Sequence, residues 1–278
     1  MLESAYLNSL IARAKQDVKT IVLPEGEDER ILKAAHLITA EKAAKVIILG
    51  DVESVKKHFA GHNWSLEDIE LVDPAKSANL EKYTKLLYEL RKEKGMTEEE
   101  AAKTVLNPNY FGTLMIKAGD ADGMVSGANH STADTVRPAL QIIKSAKKGA
   151  SVSSLLILVH NDKPYILADC AIIIDPTDKE MADTALEAAK NAIKFGMEPK
   201  VAMLTFSTKG SGKGDQVDKV RRATEIALEA LKNDPGYNSL NIKLDGELQA
   251  DAALDAVVGA KKAPGSEVAG LSLIHISE

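Results

Sequence analysis

The sequence predicts an α/β protein of two domains, with helices on both faces of a mainly parallel sheet. Two observations predict it. Short β-branched runs alternate with segments whose apolar residues recur every three or four positions, and such a β-α-β rhythm is the pattern of parallel sheets. Near Gly149 the rhythm changes to two adjacent strands, which marks a second domain with a mixed sheet. The composition suits this reading, since 278 residues at 45% hydrophobic and 27% charged can bury an adequate core.

In order along the chain, "TIVLPE" (Thr20–Glu25) reads as a strand and "DERILKAAHLITAEKA" as an amphipathic helix. "KVIILG", "IELVDP" and "GMVSG" read as further strands, separated by "DVESVKKHFAGH" and a long helical region from Asn79 to Gly119. The helix "STADTVRPALQIIKSAKK" closes the first domain, 1–148, near Lys148. Ser131 or Thr132 caps it, and Pro138 limits the regularity of its early turns. The second domain, 149–270, opens with "SVSSLLILVHNDKPYILADCAIII", a hairpin turning at "HNDKP". A helix over Lys179–Phe195, the strand "KVAMLTFS", a charged helix over Asp215–Asn233 and the strand "NIKLDGE" follow. The final octapeptide "LSLIHISE" (Leu271–Glu278) resembles the in-frame translation of a sequencing adapter. It is set aside as a non-native tail, against the alternative of a short native strand, so His275 is no site candidate.

Charge excludes several function classes. The net charge of −6 opposes broad electrostatic binding to nucleic acid or acidic membranes. With 4% aromatic residues and one tryptophan, Trp64, the chain lacks base-stacking platforms for single strands. Cys170 is the sole cysteine and makes neither an intrachain disulfide nor a metal site alone, which agrees with a reducing cytoplasm. No secretory leader and no apolar run of about 20 residues is visible, so the expected location is cytoplasmic.

Two stretches point to anions. "STKGSGKGDQ" (Ser207–Gln216) follows a strand and offers glycines, lysines and hydroxyls. Fitted to GxxxxGK[ST], however, it has Ser207 in place of the first glycine and Gly214 in place of the hydroxyl residue. It suits an anion, but not by the nucleotide-binding motif. "SGANHSTADT" is a glycine- and hydroxyl-rich turn entering a helix, where free backbone N–H groups attract anions. Arg137 follows it, early in a helix, where the macrodipole disfavours a purely structural cation. Arg91 sits beside Lys92 and Lys94 in a last helical turn that favours any cation, and nothing in the local pattern selects it.

Several strings together resemble the phosphate acetyltransferase family: "LPEGEDERILKAA", "YELRKEKGMTEEEA", "DGMVSGANHSTADTVRPALQII", "VAMLTFSTKGSGKG", "DGELQADAAL" and "KAPGSEVAG". The resemblance implies an isocitrate/isopropylmalate dehydrogenase-like architecture of two three-layer α/β/α domains, with the active site in the interdomain cleft. It implies the reaction acetyl-CoA + phosphate ⇌ acetyl phosphate + CoA, with small-molecule substrates, no resident metal or other cofactor, and a homodimer as the common assembly. Butyryl-transferring relatives share the fold, so the acyl group is less secure than the reaction type. By resemblance Arg137 matches an active-site arginine and Arg91 one implicated in CoA binding. Ser126, Gly127, Asn129, His130, Ser131 and Thr132 form the substrate-binding turn, with His130 not assigned as the catalytic base. Ser207, Thr208, Lys209 and Gly210 border the acyl phosphate or the CoA chain. Arg30 also has a family counterpart, which a helical ion pair explains as well. Asp245 and Glu247 are read as a cleft-edge loop and helix start whose acids pair with arginines. The family pattern continues past "APGSEVAG" to a Ser-Arg-Gly motif and an aspartate absent from these residues, so weak turnover is expected. The rival classes are a phosphate-loop NTPase, a dehydrogenase of similar architecture, and a non-catalytic sensor of acetyl phosphate or CoA.

Overall fold

Four strands that are apolar on both faces build the first of two units, residues 8–144. The computed structural model describes residues 4–145, 152–270 and 274–276. Helix α1 (Ala5–Ala14) opens the chain. Strands β1 (Lys19–Leu23), β2 (Ala44–Leu49), β3 (Ile69–Val72) and β4 (Gly123–Met124) are all parallel, in the order β3-β2-β1-β4. Alternation along the strands divides their side chains between two layers. Leu23, Val46 and Ile48 pack with Leu32 and Ala35 of α2 (Glu29–Ala40) and with Val55 and Phe59 of α3 (Val52–Gly61). Val22, Ile47 and Leu49 pack on the opposite side, against α4 (Leu80–Arg91), α5 (Glu98–Thr104), α6 (Pro108–Ala118) and α7 (Thr132–Ile142).

The chain leaves β1 toward β2 on one side, whereas β4 returns on the other. The order reverses between β1 and β4, and at such a switch point the carboxyl ends of parallel strands open a crevice that binds ligands. Helix α6 lies close over these two strands because Gly112 has no side chain. A Cβ there would stand 2.8 Å from Met124 Sδ and 3.0 Å from Val22 Cγ1.

The second unit comprises residues 1–7 and 145–278. Strands β5 (Leu155–His160) and β6 (Lys163–Ala168) form the expected antiparallel hairpin. Asn161 and Asp162 have φ of 49° and 62°, the left-handed pair of a two-residue type I′ turn. Helix α8 (Asp178–Lys194) follows, then β7 (Lys200–Leu204), α9 (Asp215–Asn233), β8 (Lys243–Leu248), α10 (Ala250–Leu254) and α11 (Ala256–Lys262). Five buried alanines of α8 (182, 185, 188, 189 and 192) let it pack closely with α9 over Ile166, Val201, Met203 and Leu244. Val268 and Ala253 pack on the other face with Ala202, Leu204 and Leu248.

The structure corrects several expectations. The octapeptide set aside above contributes to the sheet: β9 (Ile274–Ile276) pairs in parallel with both β6 and β7, giving the order β5-β6-β9-β7-β8. That pairing is made by backbone groups, which any strand-compatible residues supply. The helical region expected over Asn79–Gly119 is present as three α-helices and a 3-10 turn; Gly95, at φ 88°, stops the 3-10 turn after α4, and Gly119, at φ 81°, ends α6. The strand expected over "GMVSG" pairs only at Gly123–Met124, since the residues after it bend into a turn. Helix α7 passes through Pro138 and ends at Ile142, with Lys144 at φ 65°. Its expected end near Lys148 and the boundary near Gly149 lie outside the described residues. Asp245 and Glu247 lie in β8, within the strand expected over "NIKLDGE" and not in a loop, and the helix start read in "DGELQADAA" is α10, from Ala250.

The contact at Gly112 predicts that Gly112→Val, which forces branched carbons against Val22 and Met124, lowers the stability of the first unit by about 1–3 kcal/mol. The urea transition measures it.

Candidate functional site

The turn after β4 holds its anion already, and the anion is the protein's own. Glu25, just past β1, is wholly buried. Its carboxylate accepts the backbone N–H groups of Gly127 (3.0 Å), Ala128 (2.9 Å), Asn129 (2.9 Å) and His130 (3.0 Å). His130 Nδ1 lies 2.8 Å from Glu25 Oε1. Burial would push the Glu25 carboxyl up, but the backbone and imidazole hydrogen bonds prevail and hold it at about 2. Gly127 takes φ 111°, which a glycine adopts without strain and which aims successive amides inward. The expectation of free N–H groups is therefore corrected: these donors are committed to Glu25. Two further ties brace the same pair of loops. Arg30 donates to the Ala128 carbonyl at 2.7 Å while chelating Asp28 at 2.6 and 3.0 Å, and Asn129 Nδ2 donates to Glu27 at 2.9 Å.

The turn passes its position to α6 and α7. Ser126 Oγ donates to Asn109 Oδ1 at 2.7 Å, and buried Asn109 sits in the first turn of α6. Ser131 resolves the capping alternative: its Oγ accepts from Asp134 N, and Thr132 is the first helical residue. Arg137 is 57% exposed and lies 3.9 Å from Asp134, a surface pair of little energetic weight. Arg91, the last residue of α4, is half-buried, and its Nε is buried with no hydrogen-bond partner among the described residues. Both guanidinium charges act on Tyr110. Burial pushes the Tyr110 phenol up, and the charges of Arg137 and Arg91 work against that rise. The Tyr110 hydroxyl donates to Gln141 Oε1 at 2.8 Å, which ties α6 to α7. The charges of both arginines singled out in the sequence thus reach the Tyr110 phenol, a coupling the sequence reasoning missed.

The second candidate loop belongs to the other unit and uses the same device. Glu247, buried on β8, accepts a hydrogen bond from Ser207 Oγ, the N–H of Gly210 at 3.1 Å and Arg221 Nε at 2.7 Å. Burial pushes the Glu247 carboxyl up, and Arg221, Ser207 and Gly210 bring it below its ordinary value. Ser207 also accepts from Gly212 N at 2.6 Å. Thr208 Oγ1 accepts from Gln249 N at 2.9 Å, and Lys209 Nζ donates to Asp245 at 2.5 Å and to the Gly246 carbonyl at 2.6 Å. Ser207 and Thr208 are buried, so the loop that resembles a phosphate cradle is knotted onto its neighbouring strand. The expected pairing of Glu247 with an arginine is present, and Asp245 pairs with a lysine instead. Glu25 was missed because it lies outside the turn it organises. The spacing "LPEGED" after a strand was its only signal.

Among the described residues no three or more His, Cys, Asp or Glu side chains are grouped to hold a metal ion, and no helix is long and apolar enough to cross a membrane. An open parallel sheet whose strand order reverses beside a turn of amides committed to Glu25 defines a doubly wound α/β protein. The family model described as Phosphate acetyl/butaryl transferase matches residues 5–276. The chain belongs to that family of acyltransferases. It is 42% identical over 272 residues to the phosphate acetyltransferase of Helicobacter pylori, covering 98% of this chain but only 51% of that relative. It is 45% identical over 279 residues to that of Thermoanaerobacterium thermosaccharolyticum, covering 98% and 82%. Among solved structures, a phosphotransacetylase from Streptococcus pyogenes superposes with a TM-score of 0.88 at 44% identity, covering 99% of this chain and 82% of that one. The EutD phosphotransacetylase from Staphylococcus aureus gives 0.86 at 44% identity, covering 97% and 80%.

Because Glu25 is held well below the ordinary carboxylate value of about 4.3, its contribution is complete above that value. It is lost as pH falls toward 2, and amounts to about 3 kcal/mol. Glu25→Gln removes the charge and turns an amide donor toward backbone donors. It is expected to destabilise the first unit by about 2–4 kcal/mol at neutral pH and to flatten the acid limb of stability between about pH 5 and 2. Denaturant titrations across that range test both.

Proposed function

We propose that this chain performs reversible acetyl transfer between CoA and inorganic phosphate, acetyl-CoA + phosphate ⇌ acetyl phosphate + CoA. Membership of the family supports the reaction type, and the relatives named phosphate acetyltransferase support acetyl as the group transferred. The observation that carries the reading is the buried Nε of Arg91, which has no hydrogen-bond partner among the described residues. In either direction the carbonyl passes through a tetrahedral oxyanion while a phosphate dianion enters or leaves. Such charge needs fixed cations in a partly desolvated setting. Arginine suits the phosphate because its planar fork donates two parallel hydrogen bonds and stays charged. The partly buried Arg91, with an unspent Nε–H, suits a phosphate of CoA, and the more exposed Arg137 suits the acyl phosphate.

No resident cofactor enters the proposal, since thioester and acyl phosphate already carry the activated groups. The isocitrate dehydrogenase-like arrangement of the two units and a homodimeric assembly belong to the same reading. A branched-chain phosphotransacylase from Enterococcus faecalis, 18% identical with a TM-score of 0.62, shares the fold. Acetyl and butyryl substrates are therefore compared side by side in the test.

The assay follows thioester formation from CoA and acetyl phosphate, and its reverse by thiol release. Arg137→Ala and Arg91→Ala are each expected to lower kcat/KM by about 10- to 100-fold. The Arg91 change should appear mainly in the KM for CoA. Arg137→Lys should recover only part of the loss, because an ammonium cannot replace the fork. Equal activity in all three variants would sink the proposal.

A further inference from the structure

Pro138 stands inside α7, directly after Arg137. A proline has no N–H to give to the carbonyl four residues back, and its ring pushes against that carbonyl. In α7 the residue four back is Asp134, so the Asp134 main-chain oxygen loses the donor that position 138 would ordinarily supply. A main-chain carbonyl turned toward a neighbouring helix needs another partner. Asn109, in the first turn of α6, provides it: Nδ2 donates to Asp134 O at 3.4 Å. The Asn109 side chain is held in that direction. It is fully buried, and its Oδ1 accepts from Ser126 Oγ at 2.7 Å, which leaves the amide nitrogen to face α7.

The next residue of α6 makes a second tie. Tyr110 Oη donates to Gln141 Oε1 at 2.8 Å. Asp134, Arg137 and Gln141 are spaced three and four apart, so they run along one side of the helix. One tie lies a turn before Arg137 and the other a turn after it. The Tyr110 phenol feels the Arg137 charge, which agrees with this placement. Arg137 itself is 57% exposed, so its position is inherited from the helix that carries it. Helices bend sharply at proline, and a partner for the freed carbonyl selects which bend is kept.

We propose that Asn109 is a positioning residue for the acyl phosphate: it grips the carbonyl that Pro138 frees and so fixes the turn of α7 that presents Arg137. This rests on the reaction and on the part given to Arg137 above. Asn109 touches no reacting atom. Its effect is geometric, and a displacement of about 1 Å in a substrate-holding group is enough to cost about 10²-fold in rate.

Two variants test it. Asn109→Asp keeps the oxygen that receives Ser126 and puts an acceptor in place of the donor, whereas Asn109→Ala removes the amide without adding charge. Each is expected to raise the KM for acetyl phosphate, and the calorimetric Kd for inorganic phosphate, by about 5- to 20-fold, with the KM for CoA within about twofold of the wild type. In an Arg137→Ala background the same changes should alter these constants by less than about twofold, because the group they position is gone. Losses of equal size in the two backgrounds, or shared equally between CoA and acetyl phosphate, overturn the proposal. A second cycle needs no turnover. Pro138→Ala returns a helical donor to Asp134 O, so Asn109→Ala should lower the urea midpoint clearly beside Pro138 and much less beside Ala at that position. Equal shifts overturn the tie. Arg137→Ala with wild-type constants defeats the reading of Arg137 and the positioning role with it, while the urea cycle still decides whether Asn109 acts on α7 through the freed carbonyl.

Discussion

The first unit depends on how an ionised carboxylate is kept away from water. Burying such a charge without partners is prohibitive, so Glu25 requires several donors in fixed positions. The turn after β4 meets that demand with consecutive amides, and it can do so only if the chain bends where Gly127 permits a left-handed conformation. The demand runs in both directions. Without the carboxylate, the amides at the head of α7 would lose the acceptor that holds the turn in place. Two loops that follow adjacent strands therefore hold each other, and α7 starts where that arrangement places it.

The second unit solves the same problem with different parts. Glu247 comes from a strand rather than a loop, and its donors are a serine hydroxyl, one glycine amide and the Arg221 guanidinium. In both units a loop rich in glycine and hydroxyl residues has surplus donors, and the protein supplies an internal acid to absorb them.

Helix α6 links the scaffold to side chains on α7. Gly112 lets it lie against β1 and β4, Asn109 at its start receives Ser126, and Tyr110 beside it reaches Gln141 on α7 while sharing the field of both arginines. The close approach at Gly112 thereby sets where the Tyr110 phenol of the same helix stands.

How much of this was legible follows from the range of each interaction. Alternating apolar residues placed β1, β2 and β3 and the hairpin, and the "HNDKP" turn announced its own geometry, because those features arise from neighbours in the chain. Arg91 and Arg137 were visible as cations, but that the charges of both reach Tyr110 on α6 is set by the tertiary fold. Glu25 gave little sign, being separated from its turn by more than a hundred residues.

What the sequence determined by itself is the succession of strands and helices, the two anion-friendly loops and the family resemblance, all carried by local periodicity and residue type. What only the tertiary structure decided is which anion those loops hold. Glu25 and Glu247 reach their donors through strand pairing across the sheet, and no local pattern records which distant acid a parallel strand will deliver.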